Sequence, residues 1–466
     1  MPIDGAPETR PVERACYWLA RRLREADPPL DGRRDADVAI VGAGFTGLWA
    51  AHYLKALDPA LHVAVVEQRT AAYGASGRNA GILAEGIDHS HELAIAHFGR
   101  DEAERLAALG RDNFATMARL LAGGALDCDF EATGTLHVAL LPAHVAHLRA
   151  SHECARSLGL TDHRLLDRDE ARAEIHSPRY EGALFNPRGA ILDPVKLVEG
   201  LKAAVSRQGV VVYEQTKVTA LENAGAGVSA RAASGELRAR VAILATSAYT
   251  HQLLPRLRFR FIPLYDYILV SDPLTAGQKE SLGWRNRQGV ADVRAFFKYY
   301  RLTADDRVLW GTSEAQYYRS NRVEPALDHS DRHYSQLRDS FFRHFPALVG
   351  LAFPYAWGGP ICATTRFTPF FGKARGGRVL YGLGYTGHGL GTTHLAGQIL
   401  AHMALGRRSP LLDLKLVRRK PFPYPPEPFR SMAVAAVTTA LRRVDEGGKP
   451  GPLLRVLDAL GIGLSS

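Results

Sequence analysis

The sequence predicts a mixed α/β fold of two domains, one organised on a parallel sheet and the other on an antiparallel one. Three observations carry that expectation. The stretch DVAIVGAGFTGLWAAHYLKALDPALHVAVVE, residues 37–67, runs strand, glycine turn, helix, strand. Residues 257–318 alternate apolar and polar side chains with many aromatics, which is the period of antiparallel sheet. A second glycine cluster, 382–391, follows another short apolar run and again opens into a helix. At 466 residues the chain also exceeds what one hydrophobic core usually organises.

The first stretch begins with an apolar run, 38–41, suited to a buried parallel strand. Gly42-x-Gly44-x-x-Gly47 follows, then a helical pattern (Leu48, Ala51, Leu54) closed by Asp58-Pro59. A β-branched run, 62–66, ends on Glu67 with Gln68 beside it. This is a βαβ unit with a dinucleotide fingerprint, its parts in order within about 30 residues. Gly42 permits the tight turn, Gly44 lets the backbone approach a pyrophosphate, and Gly47 lets the helix lie close on the strand. Amides at the helix start, at Phe45 and Thr46, point at phosphate oxygens, where the helix dipole adds to the attraction. Glu67 can accept hydrogen bonds from a ribose hydroxyl pair. A carboxylate there repels a 2′-phosphate, which favours FAD or NAD over NADP.

Composition narrows the class. An apolar share of 46% and a charged share of 23% are those of a soluble globular protein. No apolar run reaches the ~18 residues of a membrane-spanning helix. The N-terminal MPIDGAPETRPVERACYWLARRLREADPP has no uninterrupted apolar segment, so no secretory signal is read there. Cys16, Cys128, Cys154 and Cys362 are scattered without a CxxC, giving neither a disulfide frame nor a zinc site, and a reducing cytoplasm fits. His89 and His91 lack partners at metal spacing and read as solvated. The net charge of +10 comes from dispersed arginines, with tight clusters only at residues 21–24 and 418–420. No nucleic-acid module accompanies them, so attraction to anionic ligands and an Arg-rich surface account for the charge.

Along the chain, residues 1–36 read as an arm with an amphipathic helix over 12–25. Periodicity predicts helices over 91–122, 142–158, 194–204, 333–345 and 393–405, and strands over 134–140, 210–213 and 240–245. A hairpin pairs 216–221 with 227–232, and two further strands flank Ala304-Asp305-Asp306. These place residues 37–86, 190–252 and 355–405 in the nucleotide-binding domain, and 87–189 and 253–354 in the antiparallel one. Residues 406–466 form a Pro-rich connector (PFPYPPEPF) and two amphipathic segments, 432–444 and 453–460, expected to dock on the protein body.

A nicotinamide enzyme with this fingerprint usually continues as repeated βα units. This chain leaves that pattern by residue 91 and returns to small-residue turns after buried strands. Its second glycine turn offers another helix N-terminus, able to face an electron-rich flavin ring. Here the sequence resembles a family. Tyr17-Trp18-Leu19, the GAGFTG fingerprint, Gly74-Ala-Ser-Gly-Arg-Asn79, Ala245-Thr-Ser-Ala-Tyr249, Trp357-Gly-Gly359 and Gly384-Tyr-Thr-Gly-His-Gly389 occur in that order. Together they look like the D-amino-acid-oxidase-type FAD oxidoreductases, in the branch of γ-glutamylputrescine and glycine/sarcosine oxidases. The resemblance spans residues 12–405 and implies a glutathione-reductase-like FAD domain beside an antiparallel substrate domain.

It also implies roles by position. Gly42, Gly44, Phe45, Thr46 and Gly47 would hold the pyrophosphate, and Glu67 with Gln68 the adenosine ribose. Ser76, Gly77, Arg78 and Asn79 would lie along the ribityl chain and flavin ring. Val218 would meet the adenine through its backbone, with Ala245 and Thr246 bordering the cofactor. Gly384 opens the turn whose Thr386, Gly387, His388, Gly389 and Leu390 would cover the flavin pyrimidine edge. In sarcosine-oxidase relatives a cysteine shortly before a Thr-Pro pair carries flavin covalently. Cys362 precedes Thr368-Pro369 at a spacing one residue longer, so non-covalent FAD is expected.

The implied chemistry is oxidation of a primary or secondary amine or amino acid by hydride transfer to flavin N5, then hydrolysis of the imine and reoxidation by O2. A dehydrogenase passing electrons to a carrier or quinone, or a catalytically quiet flavoprotein subunit, are the alternatives. The flavin supplies the hard step, so the protein need only orient the amine, favour its neutral form and exclude water. His388 faces the ring as a tuning group or simply caps its turn. Arg78 would neutralise reduced flavin or hold a substrate carboxylate, or else form a surface salt bridge. In Phe297-Lys-Tyr-Tyr-Arg301, Phe297, Tyr299 and Arg301 share one face and Lys298 and Tyr300 the other. Tyr300 and Arg301 are the catalytic candidates from this strand, with Tyr265 and Tyr267 closing an aromatic pocket.

Overall fold

The computed structural model describes residues 10–22, 25–87, 89–124, 126–459 and 462. Its first large sheet holds the fingerprint. Strand Gly32–Val41 pairs in parallel with Val63–Val66 on one side and Gly235–Leu244 on the other. Val211–Tyr213 and Val379–Leu383 extend the parallel run, and Phe370–Ala374 closes one edge antiparallel. Both faces are buried. Val38, Ile40, Val63, Val65 and Ile243 pack under the helices Phe45–Leu57, Pro194–Arg207 and Gly389–Leu405. Val41, Val66, Ala242 and Leu244 point the other way, toward the hairpin of Ala220–Ala224 and Gly227–Arg231.

The second sheet runs, in spatial order, Tyr355–Ala363, Ile262–Pro273, Arg307–Tyr317, Lys298–Leu302, Gly289–Asp292, Thr135–Ala139, Gly182–Asn186 and Arg164–Leu166. It is antiparallel except where Gly289–Asp292 meets Thr135–Ala139 in parallel. One correction concerns Tyr355–Ala363. Sequence order assigns it to the nucleotide-binding domain, but it hydrogen-bonds along Ile262–Pro273 in the second sheet.

Period-two alternation decides what each face of this sheet does. Tyr265, Tyr267, Tyr300 and Trp310 pack on Leu337, Phe341 and Phe345, from helix Asp331–His344 or its end. Tyr265 and Tyr267, expected to close the pocket, therefore point away from it. Leu264, Asp266, Ile268, Phe297 and Tyr299 take the opposite side.

Several predicted helices are shorter or broken. The arm forms two turns, Val12–Ala15 and Tyr17–Ala20, interrupted at Cys16 in extended conformation. Leu23 and Arg24, part of the predicted arm helix and of the basic cluster there, lie outside the described residues, as do residues 1–9. The 91–122 pattern splits at Gly99, whose φ of +83° no helix accommodates, into His91–Phe98 and Arg100–Ala122. The tail forms Phe429–Asp445, tied to the body through Asp445 and Arg442, and Pro452–Ala459, which packs on that helix; residue 460 lies outside the described residues. Among the described residues no helix is long and apolar enough to cross a membrane.

Helices Phe45–Leu57 and Gly389–Leu405 cross where Gly397 meets Trp49: a Cβ on Gly397 would lie 2.5 Å from the Trp49 Cβ. Gly397→Val should overpack this crossing by about 1–3 kcal/mol, read as a lower urea midpoint and weaker retention of the cofactor argued below. An unchanged midpoint would mean the helices can move apart freely.

Candidate active site

Two helix N-termini and the free face of the second sheet converge on one cavity of about 1060 Å³. Its lining extends from Glu67, Gln68 and Val218, past Gly42, Gly44 and Phe45, to the turn 386–391. Gly42 has a φ of +108°, and a Cβ there would lie 2.7 Å from the Ala245 carbonyl. A Cβ on Gly47 would collide with the Gly42 carbonyl, so the helix can sit this close only on glycine. Glu67 accepts the Ala43 amide at 2.9 Å and the Arg69 amide at 3.1 Å. Burial raises its pKa, and those two amides oppose the rise. Ser76 Oγ accepts the Phe45 amide at 2.9 Å.

The loop 74–79 is clamped by the arm. Trp18 donates to the Asn79 carbonyl at 2.9 Å, and Cys16 Sγ lies 3.5 Å from the Gly77 carbonyl. Asn79 Nδ2 donates back to the carbonyls of Ala75 and Ser76. Arg78 is buried and lines the cavity. It pairs with Asp328 at 2.8 Å, donates to the Tyr73 and Gly358 carbonyls, and leaves Nη2 without a partner. Burial works against its charge, yet Tyr249, Asp328 and Tyr73 hold its pKa above the ordinary value. The salt bridge considered for Arg78 exists, but it is an interior one.

At the other end, Thr386 (φ +49°), Gly387 and His388 form the turn before helix Gly389–Leu405. Gly384 (φ +89°) stands behind it, where a Cβ would strike the Thr364 side chain. Ala245 and Thr246 border the cavity opposite, and Leu390 closes the turn. His89, read as solvated, stacks on His388 with ring centroids 4.1 Å apart. Its Nε2 lies 2.8 Å from the Thr386 carbonyl. Burial, then the neighbouring His388, pushes the His89 pKa down to about 3.

Two catalytic candidates are displaced. Tyr300 is fully buried on the far side of the sheet, its hydroxyl 2.5 Å from that of Tyr180. Arg301 shares a face with Tyr299 but ends short of the cavity. It donates to the carbonyls of Leu302, Leu192 and Gly81, and its guanidinium lies 5.4 Å from the Trp18 ring. These bonds tie the second sheet to the ribbon of Ile82–Ala84 and Gly189–Ile191.

Among the polar groups that reach the cavity from this sheet are Asp266, Tyr299 and His137. Tyr299 donates to Asp266 Oδ2 at 2.6 Å, while Oδ1 is buried without a hydrogen-bond partner. Burial pushes the Asp266 carboxyl up to about 7, against the Tyr299 hydrogen bond. His137 is pushed down to about 4, by burial and then by His388. Asp266 and His137 had a signal in the sequence, each the one carboxyl or imidazole in a run otherwise free of charge (YDYILV and TLHVAL).

A family model described as FAD dependent oxidoreductase (DAO) matches residues 37–403. The chain belongs to this family. It is 30% identical over 396 residues to the gamma-glutamylputrescine oxidoreductase of Escherichia coli (strain K12), covering 84% of this chain and 89% of the relative. The probable oxidoreductase OrdL of Haemophilus influenzae is 28% identical over 401 residues, covering 84% and 88%. Glycine oxidase from Geobacillus kaustophilus superposes with a TM-score of 0.69 at 19% identity, over 83% of this chain and 99% of that one. L-proline dehydrogenase from P. horikoshii gives 0.67 at 16%, over 84% and 98%. These two likenesses are of fold.

The FAD-dependent oxidoreductase has a cavity suited to its cofactor. The glycine cradle at 42–47, the partnerless Arg78 Nη2 and a volume at the upper end of ordinary ligand sites all accommodate FAD. A Cβ on Gly44 would lie 2.7 Å from Ser76 Oγ, on the lining of the cradle. Gly44→Val should therefore abolish FAD retention, measured as the flavin-to-protein absorbance ratio after gel filtration. Normal occupancy would sink the assignment of this cradle.

Proposed function

We propose that this oxidoreductase oxidises an amine with no carboxylate beside the reacting nitrogen, and that Asp266 receives the ammonium end. The observation that carries this reading is the buried Asp266 Oδ1, which lacks a partner in a cavity whose lining contains one arginine, Arg78. A desolvated carboxylate calls for a cationic or hydrogen-bond-donating ligand. Arg78 is already committed to Asp328 and two carbonyls, so no planar fork is free for a substrate carboxylate. Among the relatives, gamma-glutamylputrescine oxidoreductase is named for an amine and glycine oxidase for an amino acid; the arginine argument favours the former class.

In this reading Gly42, Gly44, Phe45, Thr46 and Gly47 hold the pyrophosphate, and Glu67, Gln68 and Val218 the adenosine. Ser76, Gly77, Arg78 and Asn79 lie along the ribityl chain, with Ala245 and Thr246 beside them. Gly384 and residues 386–390, His388 among them, cover the ring edge. When bound, FAD supplies the acceptor for the hydride released from the carbon next to nitrogen. As carboxylate, Asp266 Oδ1 takes a proton from the substrate ammonium and frees the lone pair that stabilises the developing iminium. The Tyr299 hydroxyl fixes the carboxylate by donating to Oδ2. Leu264, Ile268 and Phe297 exclude water around them. The imine then takes up water and splits into a carbonyl compound and the released amine. Burial pushes the Cys362 thiol far above its ordinary range, so thiolate is scarce and FAD stays non-covalent.

Anaerobic addition of γ-glutamylputrescine or a simple alkylamine should bleach the holoenzyme, and hydrogen peroxide on re-aeration would identify O2 as acceptor. Bleaching without peroxide points to a carrier or quinone; no bleaching by any amine defeats the reading. Acid precipitation should leave yellow FAD in the supernatant, and colour in the pellet would show a covalent link.

The pH dependence has a definite sign. Because the Asp266 carboxyl is raised to about 7, it is neutral below that pH and a carboxylate above it. The anaerobic bleaching rate should fall about tenfold per pH unit below 7. Asp266→Asn should lower kcat/KM by roughly 10²-fold or more and flatten that acid limb. An unchanged profile in this variant would remove Asp266 from the chemistry.

A further inference from the structure

The family match stops at residue 403, yet the cavity wall does not. Helix Phe429–Asp445 presents Val434, Val437 and Leu441 to the cavity, at the three- and four-residue spacing of one helix face. Val434 packs beside Ile262 and Leu264 at the rim of the second sheet, and Leu457 adds a side chain from Pro452–Ala459.

The helix is latched at both ends. At its start, Glu427 accepts the Tyr317 hydroxyl at 2.7 Å and the Ser320 amide at 3.0 Å, and Arg430 donates to Asn321 Oδ1 at 2.7 Å. At its end, the Asp445 carboxylate accepts the amides of Ala295 and Phe296, both at 2.8 Å. Arg442 pairs with Glu314 at 2.8 Å. The Asp445 latch grips the backbone immediately before Phe297 and Tyr299, the residues that face the substrate side of the cavity.

We propose that this C-terminal helix is the roof of the substrate chamber, and that its ridge of Val434, Val437 and Leu441 binds the hydrocarbon part of the amine, distal to the nitrogen held at Asp266. The identity of the occupant rests on the amine reading above; the roof itself does not. A polar floor and an apolar roof divide recognition between them. The ammonium is fixed by charge, and chain length is selected by buried area. Each methylene that the ridge covers should tighten binding about fourfold.

The test uses full-length holoenzyme in its oxidised state and reads binding, not turnover. Propylamine through octylamine are titrated anaerobically, with the visible difference spectrum of bound FAD giving each Kd at mixing, before reduction proceeds. The wild type should tighten about threefold to fourfold per methylene until the ridge is spanned. Val437→Asp, at a half-buried position, should flatten the series while leaving propylamine within twofold. An unchanged slope in Val437→Asp overturns the proposal, as does an equal loss at every chain length. Should no alkylamine perturb the spectrum, the amine reading fails, and a second measurement judges the roof. Asp445→Ala, which removes both latch acceptors, should increase acrylamide quenching of the bound flavin's fluorescence severalfold if the helix covers the chamber. Quenching equal to wild type overturns the roof.

Discussion

The organisation of this molecule depends on one close approach, where helix Phe45–Leu57 leaves the strand Gly32–Val41. A side chain at Gly47 would run into the Gly42 carbonyl, so the helix axis lies nearer to the sheet than any other residue would allow. That proximity brings Trp49 against Gly397 and aligns helix Gly389–Leu405 beside it. Both helix N-termini then open on the same cavity, one at Gly44 and the other at His388. Their unpaired amides and dipoles favour negative charge at both places. The phosphates of FAD and an electron-rich ring are the groups that such ends suit.

The second sheet supplies what the first cannot, namely polar groups held in a dry environment. Asp266 sits between Tyr265 and Tyr267, whose rings face a solid aromatic core. Its carboxylate has Oδ1 buried without a hydrogen-bond partner. The folded-state pKa is raised from 3.8 to about 7, so ionisation withdraws stability as pH climbs through that interval. The charge of Lys298 offsets part of this cost, and Oδ1 has no hydrogen-bond partner among the described residues. A cationic ligand would relieve it, which is how a destabilised group becomes a recognition device. The histidines behave consistently: burial and then His388 lower the pKa of both His137 and His89, which favours their neutral forms.

The fold was legible where local chemistry dictates it. The glycine spacing, the β-branched runs and Glu67 define the βαβ unit without tertiary information. The face assignment of the second sheet was not legible. Alternation separates Tyr299 from Tyr300 and Asp266 from Tyr265, but which set meets the cavity depends on helix Asp331–His344, more than thirty positions further on in the chain. Of the aromatic residues, Phe297 and Tyr299 line the cavity, while Tyr265, Tyr267 and Tyr300 form the core beneath it. Arg301 misled for a related reason. Alternation places it on the face of Tyr299, but three backbone carbonyls from the ends of the ribbon and its own strand capture the guanidinium before it reaches open space. Strand Tyr355–Ala363 changed sheets because sequence order says nothing of pairing across a long connection.

The two parts of the chamber follow different physical demands. On the proposed reading, removing a proton and a hydride from one amine requires fixed distances; Asp266 pairs with Gly359 on one side of its strand, and Tyr299 is paired with Ala291 and Gly311 in another strand of the same sheet. Selecting a hydrocarbon chain requires only contact area, which is non-directional and tolerates small displacements. The wall that supplies it stands on a helix beyond the family segment, joined by a connector whose Tyr424 amide donates to the Phe259 carbonyl at 2.7 Å. Its fastenings are a few hydrogen bonds and the part-exposed Arg442–Glu314 pair, worth little by itself in water. On the proposed reading, the ridge residues of this wall can change without altering the strand that carries the carboxylate. If the wall binds the hydrocarbon part as proposed, substrate length can vary while the position of the reacting nitrogen does not.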